Sequence, residues 1–230
     1  MTTVTSMQSM FPTRLLAMSL VILAGGCSVL GGNKTPATIY APAPSVTVDP
    51  AWPTVDWQLA IARPEAERIV DSLRISVRPT PGELEVYKGA SWGSPPSEQL
   101  QSAVLHALED SHKIKAVARQ GTGLSADYTL LTDLRRFEAD YAGAAVPSAT
   151  IEINAKLLDA VDQDLVASQT FRQSVPAGTT DTAAVSQAFE TALGSIAHDI
   201  VGWTLVTGNQ HVHRVMPPPR PRARSGGKSG

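Results

Sequence analysis

Asp127-Tyr-Thr-Leu-Leu-Thr-Asp-Leu-Arg-Arg-Phe-Glu-Ala-Asp-Tyr141 is the stretch of this chain that decides its fold. Apolar and polar side chains alternate along it, with Tyr128 and Leu130 on one parity and Phe137 on the other. Alternation with a period of two is the pattern of a strand that buries one face. The stretch therefore predicts a long, half-buried strand.

Two further strands are predicted immediately downstream. Residues 150–159 and 165–175 also carry strand patterns, and Asp162-Gln163-Asp164 between them is typical of a hairpin turn. These acids together with Asp159 raise the alternative of a calcium site. The spacing lacks the glycine and the distal glutamate of a calcium loop, which favours turn chemistry.

Upstream of the long strand, the pattern predicts four shorter strands and a helix. The strand candidates cover residues 56–62, 72–78, 83–87 and 115–119. Apolar residues recur at helical spacing from Leu100 to Leu108, which predicts an amphipathic helix of about four turns. Ser94 or Ser97 is the candidate N-cap of this helix.

A second long helix is predicted from Asp181 to Val206, with Gly208 as its stop signal. Two helices interleaved with strands predict a mixed sheet covered by helices, of the α/β or α+β class. We also expect a parallel pair of strands to be joined by the first helix.

The beginning of the chain has the pattern of a lipoprotein signal peptide. An apolar run over residues 15–26 follows Arg14 and is too short to span a bilayer, which needs about 20 residues. It leads directly to Cys27, which is the single cysteine of the chain. We therefore predict a signal peptide over residues 1–26 and lipid attachment at Cys27, which would hold the protein to a membrane by its acyl chains. The alternative is an ordinary secretory peptide with an incidental cysteine.

Composition divides the remaining chain into three parts. Residues 27–54 are rich in Gly and Pro and are predicted to form a flexible tether with one short strand near residues 38–40. Its reach is about 30 Å if it behaves as a coil. Residues 55–207 are predicted to form one folded domain. Residues 208–230 are rich in Pro, Arg and Gly and are predicted to be a disordered basic tail.

Charge is distributed unevenly between the domain and the tail. Residues 27–210 contain 13 Lys and Arg against 21 Asp and Glu, a net charge of −8, whereas the last twenty residues carry +5. The tail could contact anionic lipid headgroups or be a solvated end without a partner. The acidic domain and its exported destination argue against nucleic-acid binding.

Signatures of enzymes and cofactors are missing from the sequence. We find no dinucleotide fingerprint, phosphate loop or nucleophile elbow, so we expect no enzymatic activity and no cofactor. His211 and His213 lack a third ligand nearby and make a weak metal site, so no metal is expected. Arg135 and Arg136 favour an exposed sheet face over an anion site.

A resemblance to a known family rests on the order of several segments. These are Glu83-Leu-Glu-Val-Tyr87, then Trp92 with Pro95-Pro96, then the predicted first helix, then the stretch from Ala126 to Glu138 and the strands that follow it. In this order they resemble the ABC-type transport auxiliary lipoprotein family over residues 38–206. The Pro-rich tether and the basic tail depart from the family pattern.

The resemblance implies a three-layer α/β fold with a mixed sheet, similar to the amino-terminal domain of TolB. It implies a non-enzymatic lipoprotein subunit of an intermembrane lipid transport system, in which a mammalian-cell-entry domain protein works with an ABC permease and ATPase. Ser28 in place of Asp after the cysteine implies the periplasmic face of the outer membrane.

We expect Trp92, Pro95 and Pro96 to form the partner interface, because an aromatic side chain in a constrained loop makes a low-entropy anchor. The alternative is that Trp92 packs the loop against the helix. Other functions that the sequence leaves open are a structural envelope lipoprotein that binds peptidoglycan or an assembly machine, a lipid-modifying hydrolase and a carrier that encloses an acyl chain.

Overall fold

The computed structural model describes residues 37–215, with side chains to residue 212, and Thr3 apart from them. The predicted signal peptide, Cys27 and the tail from residue 216 lie outside the described residues. The described part is one folded unit of strands and two helices.

The structure contains nine strands and two α-helices among the described residues. The strands are β1 (Thr38–Tyr40), β2 (Val55–Ile61), β3 (Glu65–Ala66), β4 (Arg74–Arg78), β5 (Glu85–Trp92), β6 (Ile114–Arg119), β7 (Tyr128–Asp140), β8 (Ser148–Asp159) and β9 (Leu165–Pro176). The helices are α1 (Pro96–Ser111) and α2 (Thr182–Val215). Every strand predicted from alternation is present, with shifts of a few residues at the ends.

Strand β7 organises a single mixed sheet. One of its edges pairs along its whole length with β8, and β8 pairs with β9, both antiparallel. Its other edge takes β2, β3 and β4 one after another, all parallel to it. Beyond these, β6 pairs in parallel with β2, β5 pairs antiparallel with β4, and β1 pairs in parallel with β5. The predicted mixed α/β sheet is confirmed.

A bulge explains why the apolar parity changes along β7. The register with β8 shifts between Leu134 and Arg136, so Arg135 is the extra residue. One extra residue turns every later side chain to the opposite face. Leu134 before the bulge and Phe137 after it are therefore both buried on the same side of the sheet.

Both helices contact each other and contribute to one hydrophobic core on one face of the sheet. The opposite face of the β7–β8–β9 region carries mainly polar side chains, among them Glu138, Asn154 and Thr170. The described residues thus form a mixed sheet with both helices packed into one core against it.

The first helix does not join a parallel pair of neighbouring strands. It connects β5 to β6, and β4, β7 and β2 lie between these two strands in the sheet. The prediction failed because the strand that β6 pairs with is β2, which lies three strands earlier in sequence than β5.

Helix α1 begins at a proline pair and is capped from a distant loop. Pro95 is the N-cap residue and Pro96 begins the helix, with no side-chain cap from Pro95 itself. The carboxylate of Asp71 accepts hydrogen bonds from the backbone N–H of Ser97 at 3.0 Å and from its hydroxyl at 2.9 Å. Ser94 and Ser97 are therefore wrong as N-cap predictions, because Asp71 satisfies the free N–H groups instead.

The segment predicted as a flexible tether is partly folded. Residues 38–40 form β1, and the following segment runs along α2, where the backbone N–H of Ala43 donates to Glu190 at 3.2 Å. Trp52 is buried against Gly202 of the same helix. Apolar side chains of this Pro-rich segment pack on α2, so the described part of the tether belongs to the domain.

Helix α2 continues beyond its predicted end to Val215. Gly208 is therefore not a stop signal, and residues 208–215 are helical rather than part of a disordered tail. A Cβ atom added at Gly208 would lie 2.5 Å from Cζ2 of Trp57. The glycine is needed because the indole of Trp57 packs directly on the helix backbone.

Candidate functional site

The predicted interface around Trp92 is not a surface. Trp92 is 2% exposed, and its ring lies edge-on to Phe137 and Phe189 at centroid distances of 5.8 and 5.1 Å. Trp92 is therefore wrong as an interface residue and is a core residue instead. Pro96 is buried and Pro95 is half-buried, and they are the first residue and the N-cap of α1.

A cleft of about 370 Å³ lies at the other end of the sheet. It forms where the amino ends of the parallel strands β2, β6 and β7 meet the β8–β9 turn and the last turns of α2. Its lining consists of Asp56, Trp57, Gln58, Lys115, Asp127, Tyr128, Asp159, Val161, His211 and Val212. Three carboxylates against one lysine make the cleft acidic.

Two of these carboxylates are held by the backbone. Asp127 accepts a hydrogen bond of 2.7 Å from the N–H of Gln58, which joins the start of β7 to β2. Asp159 accepts from the N–H of Val161 at 2.8 Å, which shapes the β8–β9 turn. The turn chemistry predicted for this acidic stretch is therefore present, and the carboxylates have fixed positions at the rim of the cleft.

An aromatic pair forms the inner wall of the cleft. The hydroxyl of Tyr128 and Nδ1 of His211 are hydrogen-bonded at 2.9 Å, which connects β7 to the end of α2. Trp57 lies edge-on to Tyr128 with a centroid distance of 5.0 Å. Burial, with the nearby charges of Asp159 and Asp127, raises the pKa of Tyr128, so this hydroxyl stays protonated.

The side chains that line the cleft are charged, amide, aromatic and aliphatic. Its lining residues include no serine, threonine or cysteine. They supply carboxylates, an ammonium, an amide and aromatic edges, which suit polar and cationic groups of a partner. Sequence reasoning missed this site because its residues come from three strands and the end of α2, and its signal was only the acid before β7 and the acidic turn.

One member of the arginine pair of β7, Arg136, belongs to an ion network on the polar face of the sheet, whereas Arg135 pairs with Asp133. Arg78 donates to both carboxylate oxygens of Glu138 at 2.9 Å, and Arg136 donates to Glu138 at 2.7 Å and to Asp140 at 2.6 Å. Burial raises the pKa of Glu138, but the hydrogen bonds and charges of both arginines outweigh it and hold the pKa below its usual range. The network is internally neutral, so Arg136 is not a free anion site.

The cleft lies far from the point where the chain enters the domain. Residues 38–43 pack beside Trp92 and reach Glu190 near the beginning of α2, whereas the cleft contacts His211 near its end. The rise of an α-helix puts about 30 Å between positions 190 and 211. The point where the chain enters the domain and the cleft are therefore at opposite ends of the fold.

Neither a membrane span nor a metal cluster is found in the described part of the chain. Over residues 37–215 no helix has the length and apolarity to cross a membrane. Within the same residues no three His, Cys, Asp or Glu side chains gather as metal ligands.

Two solved structures resemble this fold. XCC0632 from Xanthomonas campestris is 56% identical to this chain, and the match covers 77% of this chain and 99% of that protein with a TM-score of 0.75. An uncharacterized protein of known crystal structure is 13% identical, with 72% and 97% coverage and a TM-score of 0.57. The second likeness shows the fold alone.

Sequence comparison gives a longer relative and a family. The uncharacterized protein bll6063 of Bradyrhizobium diazoefficiens is 28% identical over 193 residues, covering 80% of this chain and 50% of that protein. The chain thus spans about half the length of this relative. A model of the ABC-type transport auxiliary lipoprotein component matches residues 38–201, which is most of the folded part. This chain is therefore a member of the ABC-type transport auxiliary lipoprotein component family.

Proposed function

We propose that this protein is a non-enzymatic docking subunit of an ABC-type intermembrane lipid transport system. Lipid attached at Cys27 holds it on the periplasmic face of the outer membrane. Its partner is a mammalian-cell-entry domain protein that works with an ABC permease and ATPase. The observation that carries this proposal is the placement of the amino-terminal attachment and the acidic cleft at opposite ends of the fold.

The attachment keeps one end of the domain close to the membrane. Ala37 is only the tenth residue after Cys27, and residues from 38 onward already belong to the folded unit. A chain of ten residues spans at most about 36 Å when fully extended. The short connection limits how far the domain travels from its lipid anchor, and its first contacts with the fold lie at the Trp92 end.

The far end is the surface that remains available to a partner from the opposite side of the periplasm. There the β8–β9 turn presents Val161 and Leu165, which are 81% and 58% exposed, beside the carboxylates of the cleft. An aliphatic contact surrounded by polar groups of fixed geometry is a suitable protein interface. The fixed carboxylates favour a partner segment that carries Lys or Arg.

The membrane attachment is tested by fractionating cell envelopes that contain Cys27→Ser. We expect the variant to leave the outer-membrane fraction and to appear as a folded protein in the periplasmic fraction. Continued sedimentation of a folded Cys27→Ser protein with outer membranes would contradict lipid attachment at this residue.

The partner is tested by photocrosslinking in intact envelopes. A photoreactive amino acid replaces Val161 at the cleft end, and the matched control replaces Thr180, which is exposed just before the start of α2. We expect Val161, but not Thr180, to capture a mammalian-cell-entry domain protein, identified by mass spectrometry together with its permease and ATPase.

Other products would overturn the transport role. Recovery of peptidoglycan fragments or outer-membrane assembly proteins alone would identify a structural envelope lipoprotein instead. Equal capture of the same partner from both positions would contradict the assignment of the docking surface to the cleft end.

A further inference from the structure

A second exposed aliphatic surface lies in the half of the sheet near the amino-terminal attachment. Ile69 and Val86 line one depression of about 290 Å³ beside β4 and β5. Leu73 lies next to it on the loop before β4, and Ile39 lies two strands away on β1. The four side chains are 39 to 69% exposed. We call these four residues the attachment-side patch.

Cations accompany this patch. Arg68 and Arg74 line the same depression, and within residues 37–212 neither of them forms an ion pair. Glu85 is the one acid in the lining. An aliphatic surface with an excess of arginine suits the boundary between phosphate headgroups and acyl chains, where the guanidinium binds phosphate.

The position of the patch along the chain brings it to a membrane. Ile39, which pairs with Ser91 of β5, is the twelfth residue after Cys27. Fully extended, twelve residues span at most about 43 Å, and any shorter path brings the patch closer to the acyl chains. A lipid anchor at Cys27 therefore keeps these aliphatic side chains at high local concentration beside the bilayer.

We infer that the attachment-side patch lies on the phospholipid surface and orients the domain, so that the cleft points away from the membrane. Ile69, Leu73, Val86 and Ile39 enter the headgroup region, while Arg68 and Arg74 contact phosphate groups of anionic lipids. The inference rests on the lipid attachment proposed above. It adds a second, non-covalent contact to the acyl anchor.

The β8–β9 turn offers an internal comparison for this inference. Val161 and Leu165 are as exposed as the patch, but Asp159, Asp162 and Asp164 surround them. Carboxylates are repelled by an anionic surface, so this turn is not expected to bind the same bilayer. The depression beside β4 and β5 is lined by two arginines and one glutamate, whereas the β8–β9 turn carries three aspartates.

The experiment measures flotation of the non-acylated, otherwise full mature chain (Cys27→Ser) with vesicles of phosphatidylethanolamine and phosphatidylglycerol. Without acyl chains and without a protein partner, binding reports on the protein surface alone. We expect Ile69→Ser with Leu73→Ser to lower the partition coefficient about tenfold, because membrane binding scales with buried apolar area. Arg68→Gln with Arg74→Gln is expected to lower it on anionic but not on purely zwitterionic vesicles.

The matched control is Val161→Ser with Leu165→Ser, which removes two aliphatic side chains and keeps the same tail. We expect it to bind as the parent does, and unchanged thermal melting would show that each variant is folded. Equal losses in both double variants, or a parent chain that does not float, would overturn the inference. Neither result would affect the crosslinking test of the docking role, which uses the acylated protein in intact envelopes.

Discussion

The two ends of this domain expose similar aliphatic side chains but differ in charge and in what supports them. At the attachment end, the patch with Arg68 and Arg74 lies near the aromatic core around Trp92 and the buried ion network of Glu138. At the cleft end, aspartates surround Val161, and the wall depends on the close approach of Trp57 to α2. The two proposed roles therefore rest on the charges beside each apolar surface, arginines at one end and aspartates at the other, and not on exposed apolar area alone.

The difference also concerns stability. The attachment end rests on large buried rings and on charges that satisfy each other, whereas α2 is joined to the strands at the cleft end by the Tyr128–His211 hydrogen bond and by the contact of Trp57 with the helix. We expect substitutions at the attachment end to reduce global stability most, and substitutions at the cleft end to act more locally. The predictions below test this ranking.

Trp92→Ala is expected to have the largest effect, because it removes the ring between Phe137 and Phe189. Truncating a large buried aromatic side chain costs about 4 kcal/mol. Urea unfolding followed by circular dichroism measures it. Trp203→Ala is the matched control: Trp203 is half-buried against Phe171 and should cost less. Equal losses of unfolding free energy at both positions would contradict the view that the buried aromatic rings stabilise the attachment end most.

Glu138→Gln is expected to lower the free energy of unfolding by about 3 kcal/mol at neutral pH, because it removes the charge that pairs with Arg78 and Arg136. The pKa of Glu138 is lowered in the folded state. Its stabilisation is therefore present above the unfolded pKa of the carboxyl group and is lost as pH falls through the folded pKa.

The difference between parent and Glu138→Gln should therefore shrink toward acid pH. Chemical unfolding at a series of pH values measures it, with Glu152→Gln on the neighbouring strand β8 as the control. A difference that does not depend on pH would mean that the carboxylate charge is not what stabilises this face.

Gly208→Ala tests the support of the cleft end. The added methyl group would collide with the indole of Trp57, and such overpacking costs about 2 kcal/mol. Hydrogen exchange should show the loss first in the last turns of α2 and at the start of β2. Gly178→Ala is the control, because no atom lies within 4 Å of its added Cβ. If both variants melted alike, the close packing of Trp57 would be disproved.

Tyr128→Phe is expected to have the smallest effect. It removes the hydrogen bond to His211 and keeps the ring against Trp57, which costs about 1 kcal/mol. Binding of the crosslinked partner should change more than stability does, because the hydroxyl lies in the wall of the cleft. A variant with unchanged partner capture would place the docking contacts outside the cleft.

Periodicity predicted the strands and both helices, but it could not predict contacts between distant residues. Alternation predicted β7, and its apolar residues change parity at the position where the bulge at Arg135 lies. By contrast, Gly208 has the local pattern of a helix stop, and only the arrival of Trp57 from β2 shows why a helix needs glycine there. Trp92 has the local setting of a surface loop, and Phe137 and Phe189 bury it.

The cleft illustrates the same limit for function. The sequence places Asp127 and Asp159 at the ends of predicted strands, and Asp159 is next to a predicted turn. Their convergence with His211 depends on the antiparallel course of α2 over β7, which no local pattern encodes. The packing of residues 41–54 along α2 was also missed, because a Pro-rich sequence has no periodicity to reveal it.

Helix α2 also sets the distance between the points where the chain enters and leaves the described fold. Its 34 residues cover about 51 Å, and Val215 lies at the cleft end. The chain therefore leaves the described helix beside the cleft, at the end of the fold opposite to residues 38–40, where it enters the sheet.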